Sequence, residues 1–313
     1  MSATEIELVV RGKSSVAEGV VELVLARPSG AQLPPWSPGS HVDLVLPGGV
    51  ERQYSLCGDP AGRDTWRVAV LREEATRGGS RYIHDTLTVG TTVTVRGPRN
   101  NFLLEPARRY RFIAGGIGIT PIVTMLAAAE NAGADWRLLY GGRTRASMAY
   151  VDDLRVRYGD RVVVHPHDEA GLLPLAEWLG RPVDGTLVYC CGPEPLLRAV
   201  EEHCAAGVLR VERFAPRGDL GQAPSTGFEV HLARSGLTLT IPGDGSILRT
   251  VEEAGLTPPW SCEEGICGTC ETAVLSGTPD HRDSVLSARE QAEGKSMMIC
   301  VSRSRTERLV LDL

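Results

Sequence analysis

No stretch of this 313-residue chain is apolar for long enough to span a membrane. Its opening residues, MSATEIELVV, lack the basic segment and apolar run of a secretory signal. The two absences predict a cytoplasmic protein without membrane attachment, in which thiols stay reduced and disulfides are not expected. Internal repeats and low-complexity tracts are missing as well. Lysine and arginine form no basic stripe, so nucleic acid is excluded as an expected partner. The net charge of −6 is unevenly placed. From Phe228 onward there are 13 acidic against 8 basic residues, while the remainder holds 26 against 25. That acidic end is either a solvated surface or a docking face.

What is present suits a turn-rich α/β or α+β protein: 42% hydrophobic residues, 35 glycines and 20 prolines. The length favours two or three domains over one core. Residues 1–105 carry short β-rich runs such as IELVVRGKS, VVELVLARP, HVDLVLP, WRVAVLRE and TTVTVRG, punctuated by Gly, Pro and Asp. They predict a small antiparallel barrel. Residues 106–222 alternate strand and helix patterns (YRFIAGG, PIVTMLAAAENAG, WRLLYGG, VDDLRVRYG, RVVVHPH, TLVYCCG, PEPLLRAVEEHCAAG), which predicts a parallel sheet with a nucleotide site at its carboxyl edge. The segment APRGDLGQAPSTG, Ala215 to Gly227, is almost free of large apolar residues and reads as a linker to a third domain, residues 223–313.

Four of the eight cysteines follow a C-x4-C-x2-C-x29-C pattern: Cys262, Cys267, Cys270 and Cys300. That is the plant-type spacing for a two-iron two-sulfur cluster. Gly265 and Gly268 let the loop wrap tightly, so that backbone N–H groups can point at sulfur. Four thiolates also make a structural zinc site, but zinc ligands usually come two by two rather than three plus one. Cys57, Cys190 and Cys204 read as small apolar fillers. His165 and His167 lack a third ligand at metal spacing and read as loop surface, and Trp260 as packing for the cysteine loop.

Two glycine turns stand in the nucleotide-binding part. AGGIGITP, Ala114 to Pro121, joins a strand to a helix, with Thr120 placed to cap that helix and Pro121 to begin it. The helix N-terminus then faces the place of a pyrophosphate. YCCGP, Tyr189 to Pro193, ends the last strand of the same sheet. Upstream, RQYSL (Arg52 to Leu56) and RGGS (ending at Ser80) supply an arginine strand and a second anion-binding turn.

In this order, RQYSL, RGGS, GGIGITP, CGP, the cysteine set and the closing ERLVLDL resemble the phthalate dioxygenase reductase family. That family is a branch of the ferredoxin–NADP reductase superfamily with a C-terminal plant-type ferredoxin domain. The resemblance spans essentially the whole chain. It implies an FMN-binding β-barrel domain (1–105), an NAD(P)H-binding domain (106–222) and a β-grasp 2Fe-2S ferredoxin domain (223–313). It places Arg52 on the flavin phosphate, Tyr54 against the isoalloxazine ring and Ser55 near its N5, with Gly79 and Ser80 completing the phosphate site. Gly116, Thr120 and Pro121 are expected along the pyrophosphate and nicotinamide, and Cys191 and Gly192 at the nicotinamide end. Phe214, in VERFAP, resembles an aromatic that covers the flavin until nicotinamide displaces it. Ser55, Cys191 and Phe214 are thus the candidate catalytic residues.

The resemblance implies a monomeric NADH-dependent oxidoreductase. It passes single electrons to an oxygenase, either a Rieske-type non-haem iron enzyme or a haem-thiolate monooxygenase. NADPH is the less expected donor, although Thr144 stands between Arg143 and Arg145 where an acidic residue is usual. A redox-sensing or zinc-stabilised binding module is the non-enzyme alternative.

Overall fold

A computed structural model describes residues 5–73, 78–180, 183–205, 207–216 and 226–313. The chain divides into two compact units, one running through Glu212 and the other spanning Arg213–Leu313. The sequence-expected boundary at 222/223, and most of the linker, lie outside the described residues.

The first unit contains two sheets. Strands β1 (Glu5–Ala17), β2 (Val20–Ala26), β3 (His41–Leu46), β4 (Val50–Ser55), β5 (Trp66–Leu71) and β6 (Thr92–Arg99) pair antiparallel in the order β4-β3-β6-β1-β2-β5. A bridge between Leu56 and Val68 joins the edge strands β4 and β5 and closes the barrel. The alternation in β1 shows why the strand forms. Ile6, Leu8 and Val10 point inward, while Glu5 and Glu7 face water. Opposite Glu5 in the register is Arg96, and the two form an ion pair. Leu8, Leu23, Leu25, Leu44, Trp66 and Val68 fill the barrel with no exposure, so each Leu→Ala change there costs about 2–5 kcal/mol. Helix α1 (Gly79–Asp85) lies between β5 and β6 in the chain.

The second sheet of this unit is parallel, in the order β11-β10-β7-β8-β9. Its elements run β7 (Arg109–Gly115), α2 (Ile119–Asn131), β8 (Asp135–Gly142), α3 (Val151–Tyr158), β9 (Val162–Pro166), α4 (His167–Ala170), α5 (Leu175–Leu179), β10 (Thr186–Cys191), α6 (Glu194–His203) and β11 (Leu209–Glu212). From β7 the chain moves outward through β8 to β9, then returns to place β10 on the other side of β7. The strand order therefore reverses between β7 and β10, and a crevice for ligands opens at that point in such sheets. YCCGP does not end the last strand, as β11 follows it and pairs along β10.

The second unit is built from β12 (Phe228–Leu232), β13 (Thr238–Ile241), α7 (Ile247–Glu253), β14 (Glu271–Ser276), β15 (Pro279–Asp280), α8 (Ala288–Glu293), β16 (Ser296–Met298), β17 (Arg303–Ser304) and β18 (Arg308–Leu311). Its main sheet runs β13-β12-β18-β14-β16, with β12 and β18 parallel at the centre. Ser246 caps α7 by accepting from Arg249 N (3.1 Å), and Ile247, Leu248 and Val251 of that helix join the core. This is a β-grasp arrangement. Together with the barrel and the parallel sheet it gives the expected multidomain α+β and α/β architecture.

Candidate redox site

On β4 the period of two puts Arg52 and Tyr54 on one face and Gln53 and Ser55 on the other. Arg52 lies against the start of α1. A Cβ at Gly79 would come 2.8 Å from Arg52 Cγ and 3.3 Å from its Nε, so residue 79 must stay a glycine for the arginine to hold this place. Next to it, Ser80 is buried and its Oγ accepts from Glu73 N at 3.2 Å. Arg52, Gly79 and Ser80, far apart in the chain, thus converge on one turn. Burial pushes the Tyr54 phenol well above its ordinary range, opposed by the neighbouring Arg52 charge. A cationic strand beside a glycine turn and a half-buried ring fits a flavin phosphate and ring.

Ser55 ends β4 facing the other sheet. Among the described residues neither Ser55 Oγ nor the buried Glu212 Oε2 closes a hydrogen bond of its own. They stand near enough that the hydroxyl favours the ionised carboxyl. Burial outweighs it and pushes the Glu212 carboxyl up to about 8. Glu212 pairs with Cys191 in the parallel register of β10 and β11. The Cys191 thiol is fully buried and raised well above its ordinary value, by desolvation first and by Glu212 second. Ser55 and Cys191, expected near one reacting centre, are therefore brought together around a carboxyl that the sequence reading did not single out. Its signal was an acidic residue at the carboxyl end of a strand, two positions before Phe214. Phe214 lies just past β11 and is exposed.

The two glycine turns meet at the strand-order reversal. A Cβ at Gly118 would lie 2.2 Å from Cys191 O and 2.7 Å from Gly192 N. At Gly115 it would lie 2.8 Å from Pro193 Cδ, and at Gly192 3.0 Å from Gly115 Cα. Gly116 takes a left-handed backbone (φ 55°), which a side chain would strain. This close backbone approach at a strand–helix junction suits a pyrophosphate. The capping role expected of Thr120 is not found. Gly118 occupies the cap of α2, and Thr120 Oγ1 donates to the Ile117 carbonyl at 3.0 Å. Pro121 is the third helical residue rather than the first, still within the turn whose N–H groups have no acceptor inside the helix. After β8, Arg145 is held by Glu169 through two hydrogen bonds of 3.2 and 3.0 Å.

In the second unit Cys262, Cys267, Cys270 and Cys300 are buried free thiols. Cys262 interacts with both Cys267 and Cys300, and Cys270 with Cys300; hydrogen bonds from Cys267 and Cys300 lower the Cys262 thiol. Glu264 N donates to Cys262 Sγ at 3.3 Å, and Cys267 Sγ lies 3.2 Å from Thr269 Oγ1. Glu263, Gly265 and Gly268 take positive φ, which turns the loop around the sulfurs. Four thiols gathered in this way, with a backbone N–H turned onto sulfur, suit a two-iron two-sulfur cluster, which shares its thiolates two per iron. Trp260 packs on this core as expected, with Arg249 stacked 4.9 Å over its ring. His165 spends a ring nitrogen on Leu172 O at 3.0 Å. Cys57 packs against the core as a filler would, with its Sγ 3.4 Å from the Tyr150 hydroxyl and burial pushing the thiol up to about 12.

Residues 230–305 match the 2Fe-2S iron-sulfur cluster binding domain family. Over 304 residues the chain is 45% identical to the phenoxybenzoate dioxygenase subunit beta of Ectopseudomonas oleovorans, covering 95% of this chain and 94% of that one. It is 39% identical to the phthalate 4,5-dioxygenase oxygenase reductase subunit of Pseudomonas putida, covering 98% and 96%. The chain belongs to the phthalate dioxygenase reductase family. It is an oxidoreductase with a C-terminal 2Fe-2S domain. The solved phthalate dioxygenase reductase, described as modular for electron transfer from pyridine nucleotides to [2Fe-2S], superposes at a TM-score of 0.72 with 35% identity, over 99% of this reductase and 98% of that chain. An intact self-sufficient cytochrome P450 monooxygenase matches at a TM-score of 0.93 with 46% identity. There this reductase spans 99% of its own length but 41% of the other chain. No helix among the described residues is long and apolar enough to cross a membrane.

Proposed function

We propose that this reductase takes hydride from NADH onto FMN and passes single electrons through the 2Fe-2S cluster to a Rieske-type non-haem iron oxygenase. The observation that carries the proposal is the meeting of Ser55, Cys191 and Glu212 where the barrel strand reaches the nucleotide sheet. FMN, when bound, supplies the change from two-electron to one-electron chemistry.

The chain's own residues bind and orient. Arg52, Gly79 and Ser80 hold the flavin phosphate, and Tyr54 packs the ring. Gly116, Thr120, Pro121 and Gly192 let the dinucleotide approach the backbone, with its nicotinamide end toward Cys191. Hydride transfer requires donor and acceptor at about 3–3.5 Å, a distance such a crevice can fix while excluding water. Glu212, with its high carboxyl, can hold a proton beside the Ser55 hydroxyl near neutral pH. Phe214 keeps the covering role on the resemblance alone. The four cysteines hold the cluster.

NADH is favoured because Glu169 already engages Arg145, leaving less positive charge for a 2′-phosphate. A haem-thiolate monooxygenase is the second reading of the acceptor, supported by the 46% identity to part of the P450 chain. The relatives named as dioxygenase components favour the first. Mixing the NADH-reduced protein anaerobically with a Rieske oxygenase, and separately with a P450 haem domain under carbon monoxide, distinguishes them. Fast bleaching of the Rieske centre is expected; reduction of the haem alone would overturn the assignment. Release of FAD rather than FMN on denaturation, read by mass spectrometry, would overturn the flavin assignment.

A further inference from the structure

The cysteine ligands arrive on two separate segments, a loop over residues 262–270 and the turn that holds Cys300. The stretch around one buried side chain bridges them: its carboxylate bonds the Cys300 side, and the backbone beside it bonds the cysteine loop. Asp283 has no exposure, and it lies in the stretch PDHRDSVLS, outside every motif discussed above. Its Oδ2 accepts from Val285 N (3.1 Å) and Leu286 N (2.8 Å), and its Oδ1 accepts from Ser302 Oγ (3.4 Å). Ser302 stands two residues beyond Cys300, and its hydroxyl also accepts from Arg282 N at 3.2 Å. The other side of the same segment rests on the cysteine loop. Ser284 N donates to Gly265 O at 2.8 Å. A Cβ at Gly265 would come 3.1 Å from Asp283 Cα and 2.6 Å from Val301 Cγ2. The His281 ring, itself nearly buried, places Nδ1 3.7 Å from Asp283 Oδ1.

We propose that Asp283 is a positioning residue for the iron–sulfur cluster, clasping the loop that carries three ligands to the segment that carries the fourth. The inference rests on the reading of Cys262, Cys267, Cys270 and Cys300 as ligands. Three donors from two segments converge on one carboxylate, and a buried carboxylate so satisfied holds its partners in a single arrangement. Outer contacts of this kind orient ligands, and their loss typically costs about 10–100-fold in metal affinity or activity. Val230, Ile241, Leu248 and Leu309 share one core with Cys270 and Cys300, so a change at Val230 shows what loosening that core alone does to the cluster.

The test uses the full-length protein loaded with flavin and cluster. Asp283→Ala, Asp283→Asn and the core control Val230→Ala are compared for iron and labile sulfide content, visible circular dichroism of the cluster, and its rate of loss to a chelator. Asp283→Ala is expected to lose cluster about tenfold faster, with an altered dichroism spectrum and unchanged flavin content. Asp283→Asn keeps one accepting oxygen and should fall between. Val230→Ala should lower the melting temperature while leaving the spectrum alone. If Asp283→Ala does not fold, Asp283→Asn carries the test by its spectrum and loss rate. Wild-type spectra and loss rates in both Asp283 variants would overturn the clasp, as would equal losses in Val230→Ala. A wild-type protein without a 2Fe-2S signal would instead overturn the ligand reading beneath it.

Discussion

At the scale of the residue, Glu212 is the group whose chemistry can be read from pH. Its carboxyl is raised from 4.5 to about 8 in the folded protein, so between those values the native state holds a proton that the unfolded chain releases. Stability from this group is therefore present below about pH 4.5 and falls as pH rises toward 8. Glu212→Gln should flatten that decline in melting temperature between pH 5 and 8, because the amide does not titrate. An unchanged slope would show that the carboxyl is not held protonated. The four cysteines were legible in sequence because a cluster fixes ligand spacing covalently. Glu212 was not, since its importance arises from a parallel register that sets it opposite Cys191. A second residue-scale prediction concerns nucleotide choice. Glu169→Gln frees Arg145 from an exposed and therefore weak ion pair. The kcat/KM ratio for NADPH over NADH should rise about two- to fivefold. No rise would mean that Arg145 does not face the 2′ position.

At the scale of the element, the period of two along β1 and β4 and the strand–helix alternation after residue 106 were plain in the sequence, because burial on one face imposes them. What the pattern could not supply was which ends meet. Nothing local to GGIG or CGP says that Gly118 lies against Cys191, or that Gly79 lies under Arg52. The same limit explains Thr120, which has a capping side chain but sits inside the helix once Gly118 takes the cap. The β4–α1 junction gives the element-scale prediction. Gly79→Ala places a methyl 2.8 Å from Arg52 Cγ and must displace the arginine. FMN affinity should fall at least tenfold by fluorescence titration, with the cluster spectrum retained. Wild-type affinity would remove Arg52 and Gly79 from the phosphate site.

At the scale of the whole molecule, two compact units meeting in the chain at Glu212 and Arg213 separate the flavin and nucleotide residues from the cysteines. The linker expected from the loss of apolar content after Ala215 lies mostly outside the described residues. The central claim is that electrons reach the oxygenase through the four cysteines and by no other route. Its most direct measurement is a single-turnover comparison of the full-length protein with a chain ending at Gly221, each reduced by NADH and mixed with the oxygenase. The shortened chain should retain FMN and reduce ferricyanide at the full-length rate, while reduction of the oxygenase falls at least a hundredfold. Oxygenase reduction by the shortened chain at the full-length rate would make the flavin the direct donor and contradict the account.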